Sequence, residues 1–368
     1  MNKVSKTDYV LLGYFAILLV FGLIMLTSAG SAVGHEKFGD SYYFIKHQLL
    51  SGVLPGLILF IFFSKLDYHI LKRWSGVFYI LSIILLLAVF IPGLGTANNT
   101  NALSWVDIFG IRFQPAELAK LALIVFISAF ICKKGKQILN FKKGFLTILG
   151  VGMIPIVLIA RQPDIGTVSI LFAILFSLLF VGKARLLHVL SLAGAGISAL
   201  IIMIMVASYR VDRFMTFLHP ELDPQGVGYH INQAFLAIGS GGILGRGLGH
   251  SLQKFQYLPQ VAADSIYAIL AEEMGFIFAV GLIVLLILIV RRGFILAKNA
   301  EDEFGRLLVS GIIIWFVTQS FMNIGAMVGI MPITGVPLPF VSHGGTALAI
   351  AMGAVGIMVN VSKSASKS

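Results

Sequence analysis

Long apolar runs separated by short polar breaks dominate this chain, and a single physical criterion sorts them. A helix needs about 20 apolar residues to cross a hydrocarbon core. The pattern predicts ten spans, over 9–29, 45–64, 74–91, 115–132, 144–160, 165–181, 187–207, 264–290, 307–329 and 344–361, two of them short. Small residues after the first run, Ser28-Ala29-Gly30-Ser31-Ala32, imitate a signal-peptidase site. The run is longer than a signal h-region, so it reads as a retained span. The connection from 208 to 263 is too long for an ordinary turn and too apolar for disorder, and it is expected to be a large outer loop between spans seven and eight. The fold class expected is therefore all-α, a polytopic membrane protein forming one membrane domain over 1–368.

Composition sharpens that class. Charged residues make up 12% of the chain and hydrophobic residues 58%, with a mean hydropathy of +0.95, against roughly 25% charged in soluble domains. The single Cys132 cannot form an internal disulfide, and its flanking lysines suggest the cytosol. Of the 27 Lys and Arg residues, 18 fall in alternate connections: Lys3, Lys6, Lys65, Lys72, Arg73, Lys133, Lys134, Lys136, Lys142, Lys143, Lys183, Arg185, Arg291, Arg292, Lys298, Arg306, Lys363 and Lys367. That bias predicts two cytoplasmic termini in a plasma membrane, and it accounts for most of the +11 net charge with no call on nucleic acid.

The other cations, Lys37, Lys46, Arg112, Lys120, Arg161, Arg210, Arg213, Arg246 and Lys254, fall on the outer side or in the outer half of a span. Snorkelling or solvation covers Lys37 and Arg112. Arg246 and Lys254 sit among Gly239, Gly241, Gly242, Gly245, Gly247 and Gly249, where the backbone can approach an anion, so a phosphate contact competes with a solvated loop role. Asp264 opens the eighth run; it suits a helix N-cap or a general base at the water–lipid boundary. Glu117 and Lys120, three apart in Gln114-Pro115-Ala116-Glu117-Leu118-Ala119-Lys120, share a helix face and predict an ion pair. Arg161-Gln162-Pro163-Asp164-Ile165-Gly166-Thr167 reads as a tight outer turn, and Pro332, Pro337 and Pro339 with Gly335, Gly344 and Gly345 make 331–345 a shaped loop. Glu273 faces nearly opposite Asp264 at 100° per residue and reads as a packing partner. The outer histidines show no metal-ligand spacing, and Ser251, Ser265 and Ser342 show no adjacent base.

These segments together resemble the SEDS family (shape, elongation, division and sporulation), typified by FtsW and RodA. The resemblance runs nearly the whole length, through QPAELAK, QPDIGT, YHINQAFLAIGSGGILGRGLGHSLQKFQYLP, the Asp264 helix and NIGAMVGIMPITGVPLPFVSHGG. GLGHSLQKFQYLP is closer to the division type, and GVPLPFVS suits either branch. The resemblance implies an inverting peptidoglycan glycosyltransferase that polymerises lipid II into glycan strands at the outer face of the cytoplasmic membrane. It implies Asp264 as the catalytic base and Glu117, Lys120, Arg246 and Lys254 around the substrate. It also implies a class B transpeptidase, a penicillin-binding protein, as partner. A divalent cation on the pyrophosphate fits the chemistry, with no dedicated ligand set visible. The chain departs from the family pattern at Gln260, Ser265, His343, Ser104 and His47, where Glu, Phe, Tyr, Arg and Arg are usual. A lipid II flippase and a non-catalytic scaffold are the rival readings.

Overall fold

Each apolar run falls on a helix of the computed structural model, which describes residues 7–96, 104–108, 110–206, 208–223, 225–255 and 257–364. In chain order these are α1 (Tyr9–Phe38), α2 (Tyr43–Gln48), α3 (Leu54–Lys65), α4 (Tyr68–Ala88), α5 (Pro115–Lys134), α6 (Leu146–Ala160), α7 (Ile165–Val181), α8 (Leu186–Met205), α9 (Ser208–Leu218), α10 (Val227–Gly241), α11 (Ile266–Lys298), α12 (Glu303–Met327) and α13 (Gly345–Ser364). A π-type turn, Leu49–Val53, fuses α2 and α3 into one span. Among the described residues nine helices are long and apolar enough to cross a membrane, and α7, at 17 residues, is a shorter apolar helix.

Capping sets several boundaries that hydropathy alone misplaces. Asp67 accepts from the His69 amide and starts α4 six residues before its apolar run, on a polar first turn. Asp8, Asp164 and Asp302 cap α1, α7 and α12 in the same way. Helix α1 runs on to Phe38 and stops where Gly39 turns left-handed at φ 68°.

The bundle is layered by burial. The spans containing α5, α12 and α13 are 72–83% buried over their apolar windows, against 17–18% for α2–α3 and α8, so the first three form the centre. Between helices in lipid, close backbone approach does the work that the hydrophobic effect does in water. Helix α13 lies against α3 in this manner, where a Cβ on Gly356 would come within 2.6 Å of the Phe60 carbonyl oxygen.

Three features depart from the sequence expectation. The 208–263 connection is about half helical, containing α9 and α10. A small antiparallel sheet joins α4 to α5, with β1 (Gly95–Thr96), β2 (Trp105–Ile108) and β3 (Ile111–Phe113). Strands of two to four residues carry too few positions for a period-two signal. Helix α11 is broken at Gly275, whose φ of 77° and ψ of −177° no helix contains. The break frees the Glu272 and Glu273 carbonyls, which accept from the Arg246 and Gly247 amides, while the Gly242 carbonyl accepts from Phe276. A side chain at position 275 would come 2.3 Å from the Gly245 nitrogen, so the glycine is required twice over.

Polar groups collect at the two ends of the bundle. At one end Arg292 pairs with Asp8, Lys363 donates to the Ser64 carbonyl, and Tyr68 donates to Asp302. The other end holds Glu117, Asp164, Asp264 and the 331–344 loop. Lys3, Lys6 and Lys367 lie outside the described residues, as does the side chain of Arg210.

Candidate active site

Asp264 ends the turn that follows Pro259, just ahead of α11. The N-cap of α11 is Ser265, and no side chain caps it, so the structure decides against the capping role for Asp264. Its carboxylate makes no hydrogen bond among the described residues, although the residue is only 6% exposed. Burial first, and the charge of Asp164 second, push its carboxyl up to about 6. Asp164 itself is held by Thr167, whose amide and hydroxyl donate to its two oxygens at 2.9 and 2.7 Å.

The 331–344 loop builds the rest of the wall. Gly335 turns left-handed at φ 72°, and a Cβ there would touch Asp264 Oδ2 at 3.6 Å. Gly166, at the start of α7, lets Thr334 and Val336 come into contact, which brings Asp164 and the loop to one place. The Asn323 amide nitrogen donates to the Asp264 and Val336 carbonyls, both at 2.9 Å. Ser342 Oγ donates to the Ala263 carbonyl, and the His343 amide donates to that of Ala262. Gln48, 1% exposed, grips the loop from α2 by donating to the Ser342 carbonyl and accepting from the Gly344 amide. The backbone that presents Asp264 is thus fixed from three elements, while its carboxylate is left free.

Glu117 and Lys120 form the expected ion pair at 2.8 Å, with side chains 3% and 1% exposed. Lys120 also donates to Gln319 Oε1 at 2.9 Å and stands 4.9 Å over the Trp315 ring. Gln319 in turn donates to the Pro337 carbonyl, one residue along from the carbonyl that Asn323 holds. Glu117 Oε2 has no hydrogen-bond partner among the described residues, and Glu117 lines a small cavity with Gln319, Pro337, Ser342 and Gly344. A buried carboxylate oxygen without a donor is an acceptor waiting for one.

The two cations of the glycine loop part company. Arg246 is 38% exposed, its guanidinium 3.9 Å from Glu272. Lys254 faces inward, 3% exposed, and donates to Glu273 at 2.9 Å and to the Gly249 carbonyl at 2.7 Å. Glu273 accepts from Ser28 as well, and Glu272 accepts from the Ser251 hydroxyl and the Leu252 amide. The freed carbonyls of the α11 break and these two carboxylates together moor the glycine loop.

Ser265 acquires a neighbour that sequence spacing concealed, His230 of α10, at 2.7 Å. The hydroxyl has one proton and directs it to the Pro259 carbonyl, also at 2.7 Å. It therefore accepts from His230 Nε2, which makes the pair a tether and not a nucleophile with its base. Burial holds the His230 imidazole down to about 4, so it is neutral at pH 7. Sequence reading also passed over Gln48, Gln319 and Asn323. The signal was present, since polar side chains four apart within an apolar run demand partners.

The chain is similar along its length to known proteins. The family model described as cell cycle protein, FtsW/RodA/SpoVE, matches residues 9–367. Stage V sporulation protein E of Bacillus subtilis is 38% identical over 362 residues, covering 98% of both chains. The probable peptidoglycan glycosyltransferase FtsW of Trichlorobacter lovleyi is 36% identical over 360 residues, covering 98% of this chain and 94% of that one. A chain from a peptidoglycan synthase complex that coordinates polymerization and crosslinking superposes with a TM-score of 0.78 at 25% identity, covering 97% of this chain and 98% of that one. A predominantly helical polytopic fold and a sequence matched nearly from end to end leave one conclusion about kinship: this protein belongs to the FtsW/RodA/SpoVE family.

Proposed function

We propose that the chain is a peptidoglycan glycosyltransferase that polymerises lipid II, with Asp264 as general base. The observation that carries this reading is a buried carboxylate with its backbone fixed by hydrogen bonds, no hydrogen bond of its own among the described residues and a pKa raised to about 6. A base works best when its pKa lies near the working pH, and this one is roughly nine tenths ionised at pH 7. In the proposed step the 4-hydroxyl oxygen of an acceptor N-acetylglucosamine attacks C1 of a donor N-acetylmuramic acid. The C1–O bond to pyrophosphate breaks with inversion, the hydroxyl proton passes to Asp264, and undecaprenyl pyrophosphate departs. The unpartnered Glu117 Oε2 accepts from a sugar N–H or O–H, with the Lys120 ion pair fixing the Glu117 carboxylate in place.

Lys254 is engaged by Glu273, so Arg246, half-exposed on the glycine loop, is the cation in this proposal that offsets the pyrophosphate charge. Arg246→Gln is expected to raise the KM for lipid II several-fold in a protein that still folds; unaltered kinetics would return Arg246 to a solvated role. The proposal places the Asp264 end of the bundle outward and both termini in the cytoplasm, following the distribution of basic residues. A class B transpeptidase docks on its membrane face. Incubating the purified chain with lipid II, with and without that transpeptidase, tests the reading: glycan strands are expected, and their absence in both reactions contradicts it.

A further inference from the structure

His47 and His343 lie 296 positions apart in sequence and meet at the rim of the Asp264 wall, with His47 Nδ1 3.2 Å from His343 Nε2. Their ring centroids are 5.2 Å apart and tilted by 46°, and Phe44 closes edge-on over His343 at 5.1 Å. Two ring nitrogens this close share at most one proton, so at least one lone pair points into the gap. Two imidazoles bound to one tetrahedral zinc at about 2.0–2.1 Å would stand roughly 3.3 Å apart, which is the spacing already present.

We propose that His47 and His343 form a binding site for a divalent transition ion of the zinc class. Nitrogen donors select Zn²⁺, Ni²⁺ or Cu²⁺ over Mg²⁺ and Ca²⁺, which require oxygen cages. No third His, Cys, Asp or Glu joins the pair among the described residues. Ser51 Oγ, 3.1 Å from His47 Nδ1, and water complete the shell, so the ion exchanges readily. His47 is exposed near the start of the α2–α3 span, and Lys46 beside it is neutralised by Asp40 at 2.7 Å. An ion held here ties α2 to position 343, whose amide holds the Ala262 carbonyl two residues before Asp264. Occupancy therefore tightens the segment that presents the carboxylate.

The test is a zinc titration of the purified chain, prepared without a polyhistidine tag, read by equilibrium dialysis and by the thermal unfolding midpoint. One ion per chain and a raised midpoint are expected with ZnCl₂, and no change with MgCl₂. His47→Gln and His343→Asn should each weaken zinc binding at least about tenfold, because losing even an outer-shell partner costs 10–100-fold. His47 is exposed, so its replacement keeps the fold and guards against a folding artefact. Equal zinc affinity in the parent and the His47→Gln variant, or no saturable binding in the parent, overturns the proposal. Neither readout uses lipid II, so its outcome is independent of the polymerase reading.

Discussion

Replacing Asp264 by Asn is expected to reduce glycan polymerisation by about 10²–10⁴-fold, the range that a lost general base costs. The fold should survive. The hydrogen bonds that fix this position use the backbone carbonyls of Ala262, Ala263 and Asp264, and none uses the carboxylate. Exchanging a buried carboxylate for a neutral amide of the same shape also removes a desolvation cost. Initial rates on lipid II alongside a thermal melt check both halves. A near-parental rate in a folded variant contradicts the role given to Asp264.

The largest stability effect is expected at the α11 break. Lys254→Met leaves the Glu273 carboxylate buried, with Ser28 and the Ser251 amide as its remaining hydrogen-bond donors. Breaking a buried pair from one side costs about 3–5 kcal/mol, most of it from the uncompensated charge. Adding Glu273→Gln should recover a large part of that loss, since both charges are then gone. Thermal unfolding of the two single variants and the double variant in detergent measures the coupling. Additive losses would mean that the two side chains stabilise the protein separately.

Hydropathy made the helical class and nearly every membrane-spanning helix legible in the sequence, because lipid imposes one length and one polarity on every span. The Glu117–Lys120 pair was legible too, since both residues lie on one helix and the spacing fixes their geometry. What escaped was whatever depends on chain segments meeting. Lys254 could be read as an outward cation because Glu273 is 19 positions away, beyond any local pattern. Asp264 could be read as a cap because one residue decides that role, and capping geometry is finer than any hydropathy boundary. Gly275 lies inside the expected span 264–290, two residues after Glu273, and only the backbone of Gly245 against it shows why the helix must break there. The His47–His343 contact unites two residues that each departed from the family pattern, and neither departure hinted at the other.

The pH dependence of the initial polymerisation rate tests the central claim most directly. The Asp264 carboxyl titrates at about 6, above its ordinary value of 3.8, so the base is protonated and lost as pH falls through 6. The account predicts an acid limb near pH 6 in the parent, moved to lower pH in Asp164→Asn, where the neighbouring charge is gone and an Asn can still cap α7. The same limb should be missing from the residual activity of Asp264→Asn. An acid limb that stays in place in both variants would contradict the assignment of Asp264 as the base.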